Sequence, residues 1–262
     1  MIAKVLADLG CGFDCASLVE MESVSLSTLC PLPQSFYIVQ TAGAGITRPE
    51  MVIYANTIKQ RSFIREADRL GVHKMTFDNV EELYKIKETH TSPQLVLRIR
   101  ADDKTAKVNL GIKFGCDPPM EKGPELLRTA KELGLSVVGI SFHVGSGCGD
   151  ATAYDRAISI SAQLFDIGLQ MGHSMRLLDL GGGFPGVDTG KTISFGEIAD
   201  AINPALEKYF PEGKYKELSV IAEPGRYFGS APVSLVAHVI GATKVPASRV
   251  TKKGGFGDGV GL

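Results

Sequence analysis

The sequence predicts an α/β fold in which a parallel sheet closes into a (β/α)8 barrel of the TIM type, without the first strand of that barrel. Short apolar segments alternate with amphipathic helical patterns, as they do in parallel sheets covered by helices. Seven such segments are present, and the chain opens with a helical pattern that no strand precedes. Polar residues follow segment after segment, which favours a barrel over the alternative, an open doubly wound sheet.

The first βα unit has an irregular spacing. Residues 2–9 place their apolar side chains on one helical face, and Gly10 stops that helix. Residues 12–17 predict a short strand that ends in a helix cap. Residues 18–40 are rich in serine and leucine and nearly uncharged, and the space between Ser17 and Met51 is longer than one βα unit needs. We interpret them as an atypical insertion, either retained intron sequence or a surface insertion.

The later elements follow one another regularly. Asn79 with Glu82, and Ser194 with Glu197, have the spacing of capping boxes and predict two helix starts. Pro124 is typical of the start of a further helix. The predicted strands lie near residues 13, 53, 75, 97, 140, 178 and 220.

Composition excludes several functional classes. A formal net charge of −1 offers no basic surface to nucleic acid, and 44% hydrophobic residues indicate a globular core. The five cysteines form no C-x-x-C pair, which favours reduced thiols in the cytosol over disulfides or a zinc site, so no metal is expected. The N-terminus does not resemble a signal peptide, and the longest apolar stretch, 231–242, is too short to span a bilayer. We therefore expect a cytoplasmic protein that binds neither nucleic acid nor membrane.

Three consecutive glycines, 181–183, follow the sixth predicted strand. Because they lack Cβ atoms, their backbone N–H groups can converge on an anion. The spacing Gly181-x-Gly183-x-x-Gly186 matches a dinucleotide-binding pattern, but no helix opens directly after it, as that site requires. Residues 190–192 end like a Walker A loop, but Pro185 occupies the place of a required glycine. Both nucleotide interpretations are therefore weak.

Polar residues collect at the carboxyl ends of the predicted strands. Each has a structural alternative: the aspartates could cap helices, the arginine could form an ion pair at the barrel rim, the histidine could be structural, and Glu223 could pair with Arg226. All these alternatives would have to hold at once, so a shared site is the stronger interpretation. The residues are Asp14, Asp78, Arg98, His143, Ser146, Asp179, Glu223 and Arg226.

This combination of groups fits pyridoxal phosphate. The Ser146 hydroxyl and the backbone of glycines 181–183 can donate to one phosphate, and Arg226 offers a charged fork. His143 supplies a flat ring for stacking. Glu223 supplies a carboxylate that can keep the pyridine nitrogen protonated, which makes the cofactor ring an electron sink.

Five short motifs are distinctive, and the similarity that they mark runs through nearly the whole chain except residues 18–40 and about the last twenty. They are Phe13-Asp-Cys-Ala-Ser17, Lys113-Phe-Gly115, Ser141-Phe-His-Val-Gly-Ser-Gly147, Leu178-Asp-Leu-Gly-Gly-Gly-Phe-Pro-Gly186 and Ala222-Glu-Pro-Gly-Arg226. Together they resemble the eukaryotic ornithine decarboxylase family, group IV pyridoxal-phosphate decarboxylases with the alanine-racemase-like fold.

The resemblance implies a role for each site residue. His143 stacks on the cofactor ring, Glu223 contacts the pyridine nitrogen, and both are implied to be catalytic. Ser146, Gly183 and Arg226 hold the phosphate. The implied cofactor-binding set is Asp14, Arg98, His143, Ser146, Gly181, Gly182, Gly183, Glu223, Pro224, Gly225 and Arg226.

The family that the chain resembles has two features that we do not expect in this chain, the Schiff-base lysine and a complete C-terminal β domain. The Schiff-base lysine of the family lies on the first barrel strand, upstream of the opening helix, and Lys4 on that helix does not replace it. We expect residues 1–228 to form the pyridoxal-phosphate barrel and residues 229–262 to be a remnant of the family's C-terminal β domain. Since Schiff-base chemistry needs an amine nucleophile, the 262-residue chain is expected to be inactive.

The implied reaction is decarboxylation of L-ornithine to putrescine, at the entry to the polyamines. Two alternatives stay open: an inactive regulator similar to antizyme inhibitors, and a decarboxylase of another basic amino acid. Retention of the cofactor residues favours descent from an enzyme. The resemblance further implies a homodimer, near whose contact Lys113 falls, and antizyme as a candidate partner.

Overall fold

The computed structural model describes residues 2–25, 47–101, 113–187, 193–231 and 238. They contain a parallel sheet of seven strands whose order in space follows their order in the sequence. The strands are β1 (Phe13–Cys15), β2 (Val52–Tyr54), β3 (Lys74–Phe77), β4 (Gln94–Arg98), β5 (Ser136–Ser141), β6 (Leu177–Asp179) and β7 (Ser219–Ile221). A doubly wound sheet reverses its strand order at a switch point. The sequential order therefore excludes that alternative and confirms the predicted barrel topology.

Helices connect successive strands. They are α1 (Ile2–Asp8), α2 (Leu18–Ser25), α3 (Arg61–Arg69), α4 (Val80–Thr89), α5 (Pro119–Glu132), α6 (Thr152–Gln170), α7 (Phe195–Tyr209) and α8 (Gly225–Gly229), with a 3-10 turn at Pro49–Met51. Within the described part of the chain, no helix has both the length and the apolar character that crossing a membrane requires.

The first βα unit is more regular than the sequence indicated. Ser17 caps α2 as predicted, because its Oγ accepts a hydrogen bond from the Glu20 backbone N–H at 3.3 Å. Met21 and Val24 of α2 are buried in the core. The start of the predicted insertion is thus a packed helix, and residues 26–40 lie outside the described residues.

One of the two predicted capping boxes is complete. At α7, Ser194 Oγ accepts from the Glu197 N–H at 3.2 Å, and Glu197 Oε2 accepts from the Ser194 N–H at 2.8 Å. At α4 only the Asn79 half of the predicted capping box is present. Asn79 accepts from the Glu82 N–H at 2.8 Å, but the Glu82 carboxylate lies 2.8 Å from the buried Lys59 Nζ instead of returning to the cap.

The predicted start of α5 was wrong. This helix begins at Pro119, and Pro124 lies inside it. Pro119 already occupies the first turn, where the N–H that proline lacks has no helical partner. The end of the helix is as expected, since Gly134 follows with a φ of 69°.

The sheet separates two apolar layers. The larger layer lies between strands and helices, and the smaller consists of Ile53, Val96, Val138 and Leu177 with Ile221 packed against it. Because strand side chains alternate between the two faces, the smaller cluster marks the side chains that point into the barrel. Residues two positions further along these strands share that direction.

A slip in strand pairing on β5 changes which of its side chains point inward. Leu95 pairs with Val137, but Val96 pairs with Gly139, so β5 holds one extra residue. Beyond this bulge, Ile140 and Phe142 pack in the helix layer. The side chains of residues 141 and 143 are thereby directed into the barrel.

Candidate active site at the carboxyl ends of the strands

The predicted site residues meet at one end of the barrel, where the carboxyl ends of the parallel strands converge. Arg98 and Asp179 are the last residues of β4 and β6, and Asp14 is the middle residue of β1. His143 follows β5 by two residues, and Glu223 follows β7 by two. We call these five residues the strand-end cluster.

Asp179 and Glu223 form the most perturbed pair of the cluster. Asp179 is fully buried, and its Oδ1 accepts from the Gly181 N–H at 2.9 Å. Burial raises the pKa of Asp179 to about 6. Burial and the negative charge of Asp179 raise the pKa of Glu223 well above its usual range.

The Asp179–Glu223 pair is therefore arranged to share a proton. With both carboxyl groups ionised, Asp179 Oδ2 has no donor among the described residues. A proton on Glu223 supplies that donor through the hydrogen bond between the two carboxyl groups. Like charges at short range disfavour double ionisation, which is the physical reason for holding the proton there.

Arg98 is the cation that acts on this group of carboxylates. Its charge lowers the pKa values of Asp14, Asp179 and Glu223, against the larger effect of burial. The guanidinium is held by Nη1, which lies 3.5 Å from the Ala55 carbonyl oxygen, and by the Phe114 ring, whose centroid is 5.2 Å from Cζ.

Asp14 differs from the other carboxylates in its solvent exposure. Crowding by surrounding protein and the charge of Glu223 raise the pKa of Asp14. Its surface is nevertheless exposed in the barrel interior, so solvent screens these interactions. The charge of Asp14 is therefore better compensated by solvent than that of the buried Asp179.

His143 presents a neutral ring to the cluster. Its Nδ1 accepts from the Gly145 N–H at 2.9 Å, which leaves the ring proton on Nε2. Burial, together with the positive charge of Arg98, lowers the pKa of His143 to about 4. At neutral pH the ring is therefore uncharged and able to stack on a flat group.

The glycines at 181–183 are required by close packing between loops. Gly181 has a φ of 61°, and a Cβ there would lie 2.0 Å from the Phe142 carbonyl oxygen. A Cβ on Gly182 would lie 2.7 Å from His143 Nε2. The sequence argument considered only anion access at these positions, and the structure adds a steric reason for the absence of side chains.

A hydrogen bond joins the loops after β5 and β7. Arg226 Nε donates to Ser146 Oγ at 2.6 Å. Pro224 precedes α8, and Gly225 is its first residue. The alternative in which Glu223 pairs with Arg226 is wrong, because Glu223 interacts with Asp179 and Arg226 with Ser146.

Some polar residues have roles that the sequence did not distinguish. Asp78 does not join the cluster: its Oδ2 accepts from the Gly115 N–H at 2.9 Å and holds that loop. The sequence argument also missed Tyr154, whose hydroxyl donates to the Gly182 carbonyl oxygen at 3.0 Å. It missed Ser141, whose buried Oγ has no partner among the described residues. Nothing in the local pattern distinguishes either residue from ordinary core.

The arrangement fits pyridoxal phosphate. The exposed Arg226 and the Ser146 hydroxyl lie together at the loop ends, as a phosphate would require. The Glu223–Asp179 pair offers a proton and a carboxylate to a basic ring nitrogen, and the neutral His143 ring offers a stacking surface. When both acids are ionised, the buried Asp179 Oδ2 lacks a donor. Such an unpaired acceptor is consistent with a site that exchanges a proton with its ligand.

Comparisons with known proteins agree with this geometry. Residues 1–230 match the pyridoxal-binding domain of the pyridoxal-dependent decarboxylases. Ornithine decarboxylase of Panagrellus redivivus is 50% identical over 253 residues, which cover 97% of this chain and 53% of that protein. Antizyme inhibitor 2 of Xenopus laevis is 44% identical over 247 residues, 94% of this chain and 49% of that protein. The chain spans about half the length of the curated relatives it matches.

A solved structure shares the fold. The arginine decarboxylase of Paramecium bursaria Chlorella virus, determined with bound agmatine, superposes with a TM-score of 0.72 at 36% identity. The match covers 86% of this chain and 54% of that one.

Proposed function

The chain belongs to the pyridoxal-dependent decarboxylases, and we propose that the protein decarboxylates L-ornithine to putrescine with pyridoxal phosphate. The observation that carries this proposal is the pairing of the fully buried Asp179 with the half-buried Glu223, which offers a carboxylate able to hold a ring nitrogen protonated. The 50% identity to a nematode ornithine decarboxylase supports ornithine as the substrate.

The bound cofactor supplies an electron sink for the bond that loses CO₂. With the cofactor bound, Glu223 would be the carboxylate that holds the proton at the pyridine nitrogen, and the negative charge of Asp179 beside it favours keeping a proton there. The positive charge of Arg98 offsets part of the repulsion between the two carboxyl groups. The Asp179–Glu223 pair can therefore hold one proton and keep one negative charge.

Three further residues orient the cofactor. Arg226 and Ser146 hold the phosphate, and the neutral His143 ring stacks on the pyridine. An uncharged ring avoids repelling the protonated pyridine, which is why the lowered pKa of His143 suits this position.

Cofactor binding is tested on the 262-residue chain by titration with pyridoxal phosphate, followed by protein fluorescence. The Arg226→Ala variant should bind pyridoxal phosphate about 10- to 100-fold more weakly, since a charge-assisted hydrogen bond to its phosphate contributes roughly 1.5–3 kcal/mol. Arg128→Ala, an exposed arginine on α5, is the matched control and should bind as the unaltered chain does. Equal affinities for both variants would refute the assignment of Arg226.

Turnover is tested with pyridoxal phosphate present, by measuring CO₂ release from L-ornithine, L-lysine and L-arginine. We expect kcat/KM to be highest for ornithine. A preference for lysine or arginine would keep the reaction and replace the substrate.

A regulatory function is the second candidate, because an antizyme inhibitor is also 44% identical over most of the chain. Antizyme binding with no CO₂ release from any of the three amino acids would establish it in place of the enzyme.

We also propose that the protein acts as a homodimer and resides in the cytoplasm. The free thiols of Cys11, Cys15 and Cys116 support the second inference.

A further inference from the structure

A second cluster of ligand-type side chains lies at the amino ends of the strands, opposite the strand-end cluster. Asp68 comes from α3, His73 directly precedes β3, and His90 follows the last residue of α4. One ligand atom from each residue lies within 4.8 Å of the ligand atoms of the other two. Two imidazoles and one carboxylate at such distances are a donor set typical of zinc and similar ions.

The tautomer of His90 directs a lone pair toward Asp68. His90 Nε2 lies 3.2 Å from the Val72 carbonyl oxygen, which can only accept, so the ring proton is on Nε2. The unprotonated Nδ1 then lies 3.3 Å from Asp68 Oδ1. Two acceptor atoms face each other there with no hydrogen between them, and a cation can bridge them.

The surroundings match the outer shell of a metal site. Ligating histidines usually donate their other ring N–H to a carbonyl or carboxylate, as His90 does to Val72. The Asp68 carboxylate is itself held, because Thr91 Oγ1 donates to its Oδ1 at 2.8 Å. Binding would displace one weak contact, the Ser92 N–H, which is 3.2 Å from His90 Nδ1.

The cluster is open to solvent on one side. His73 is half-buried, and its ring meets the His90 ring edge-on at a centroid distance of 5.3 Å. His73 lines a cavity of about 200 Å³, and His90, whose side chain is fully buried, lies beside a neighbouring groove of about 770 Å³. An ion held by three protein ligands here would keep a position for water.

We propose that Asp68, His73 and His90 bind a divalent transition-metal ion of the zinc type, with solvent as a fourth ligand. The ion would join the end of α3, the start of β3 and the end of α4, and so stabilise the amino-end face of the barrel. This site is separate from the proposed cofactor site. The cysteine pattern alone predicted no metal, whereas these three ligands come together only in the tertiary structure.

The test is titration of the 262-residue chain with zinc chloride, without pyridoxal phosphate, by calorimetry under reducing conditions. Cobalt(II) replaces zinc in a parallel absorption measurement. We expect one equivalent of metal to bind, with visible cobalt bands and no thiolate charge-transfer band. His73→Gln should weaken zinc binding by more than the roughly 10- to 100-fold that loss of an outer-shell partner costs.

Two controls separate this site from other ligands. His238→Gln alters an exposed histidine elsewhere, and Cys11→Ser removes a partly exposed thiol. Both should bind zinc with unchanged affinity. Asp68→Asn repeats the test on the second half-buried ligand, in case His73→Gln disturbs folding as judged by circular dichroism. Unchanged zinc affinity in His73→Gln or Asp68→Asn, loss of binding in either control, or no binding by the unaltered chain would overturn the proposal.

Discussion

Glu82 and Asp179 are both fully buried carboxylates, but the protein compensates their charges in different ways. Glu82 lies 2.8 Å from Lys59 Nζ and 2.5 Å from Lys85 Nζ. Asp179 instead faces Glu223, another acid, and its Oδ2 lacks a donor unless that acid is protonated. A compensated buried charge holds a structure together, whereas an uncompensated one is available to a ligand.

The Lys59 ammonium, the main partner of Glu82, is itself fully hydrogen-bonded. Its Nζ donates to the Thr76 carbonyl oxygen at 2.6 Å and to the Asn56 carbonyl oxygen at 3.1 Å. Burial lowers the pKa of Lys59 to about 8, although Glu82 favours the charged form. Every donor of the ammonium therefore has a partner, and we assign this pair to stability and not to chemistry.

The largest effect is expected from breaking the compensated pair. Lys59→Met should reduce the free energy of unfolding by about 3–5 kcal/mol, because it leaves Glu82 buried without its main partner. Urea denaturation measures the loss. The double variant Lys59→Met/Glu82→Leu should lose less, since neither charge remains. A double variant less stable than the single one would contradict this account.

Glu223→Gln should separate binding from stability. The glutamine amide supplies the donor that Asp179 Oδ2 lacks, so the free energy of unfolding should be unchanged or slightly higher. Affinity for pyridoxal phosphate should fall about 10- to 100-fold, because an amide cannot accept the pyridine proton as a carboxylate does. A large loss of stability with unchanged affinity would show that Asp179, like Glu82, belongs to a pair that stabilises the fold and does not bind a ligand.

Asp179→Asn should change how stability depends on pH. Because the pKa of Asp179 is raised from 3.8 to about 6, the folded state keeps a proton in that window that the unfolded state has lost. Stability of the unaltered chain therefore falls as pH rises from about 4 to about 6, by at most about 1.4 kcal/mol per pH unit for one group. Asparagine removes this loss.

The difference in unfolding free energy between Asp179→Asn and the unaltered chain should thus grow by about 1–2 kcal/mol as the pH rises from about 4 to about 6. Urea denaturation at several pH values measures it. The lowered pKa of His143 works in the opposite direction over part of this window, but both proteins carry that histidine, so its contribution cancels. A difference that is independent of pH would contradict the shared proton.

Lys85→Met gives the smallest effect. Lys85 is the more exposed partner of Glu82, with 19% of its side chain accessible, and Glu82 keeps Lys59 when it is removed. We expect a loss of about 1 kcal/mol or less in the free energy of unfolding. A loss as large as that of Lys59→Met would mean that both lysines compensate Glu82 equally.

Much of the fold could be predicted from the sequence because the signals are local. Alternation of apolar segments with helical patterns placed all seven strands, and the Ser194–Glu197 spacing placed the start of α7. Predictions failed where a distant residue competed for a local group. Glu82 has the spacing of a capping box, but Lys59, 23 residues away, binds its carboxylate.

The candidate site shows the same division. The sequence by itself determined which polar residues follow the strands, and the motifs they form determined the family, since residue identity and strand period are properties of short segments. Only the tertiary structure decided which of them interact. The extra residue on β5 turns His143 into the barrel, and the pairing of β6 with β7 brings Glu223 to Asp179. Strand register and the approach of separate elements depend on packing over the whole sheet, which no local pattern encodes. The same reason explains why Asp68, His73 and His90 could be recognised as a group only after folding had placed them together.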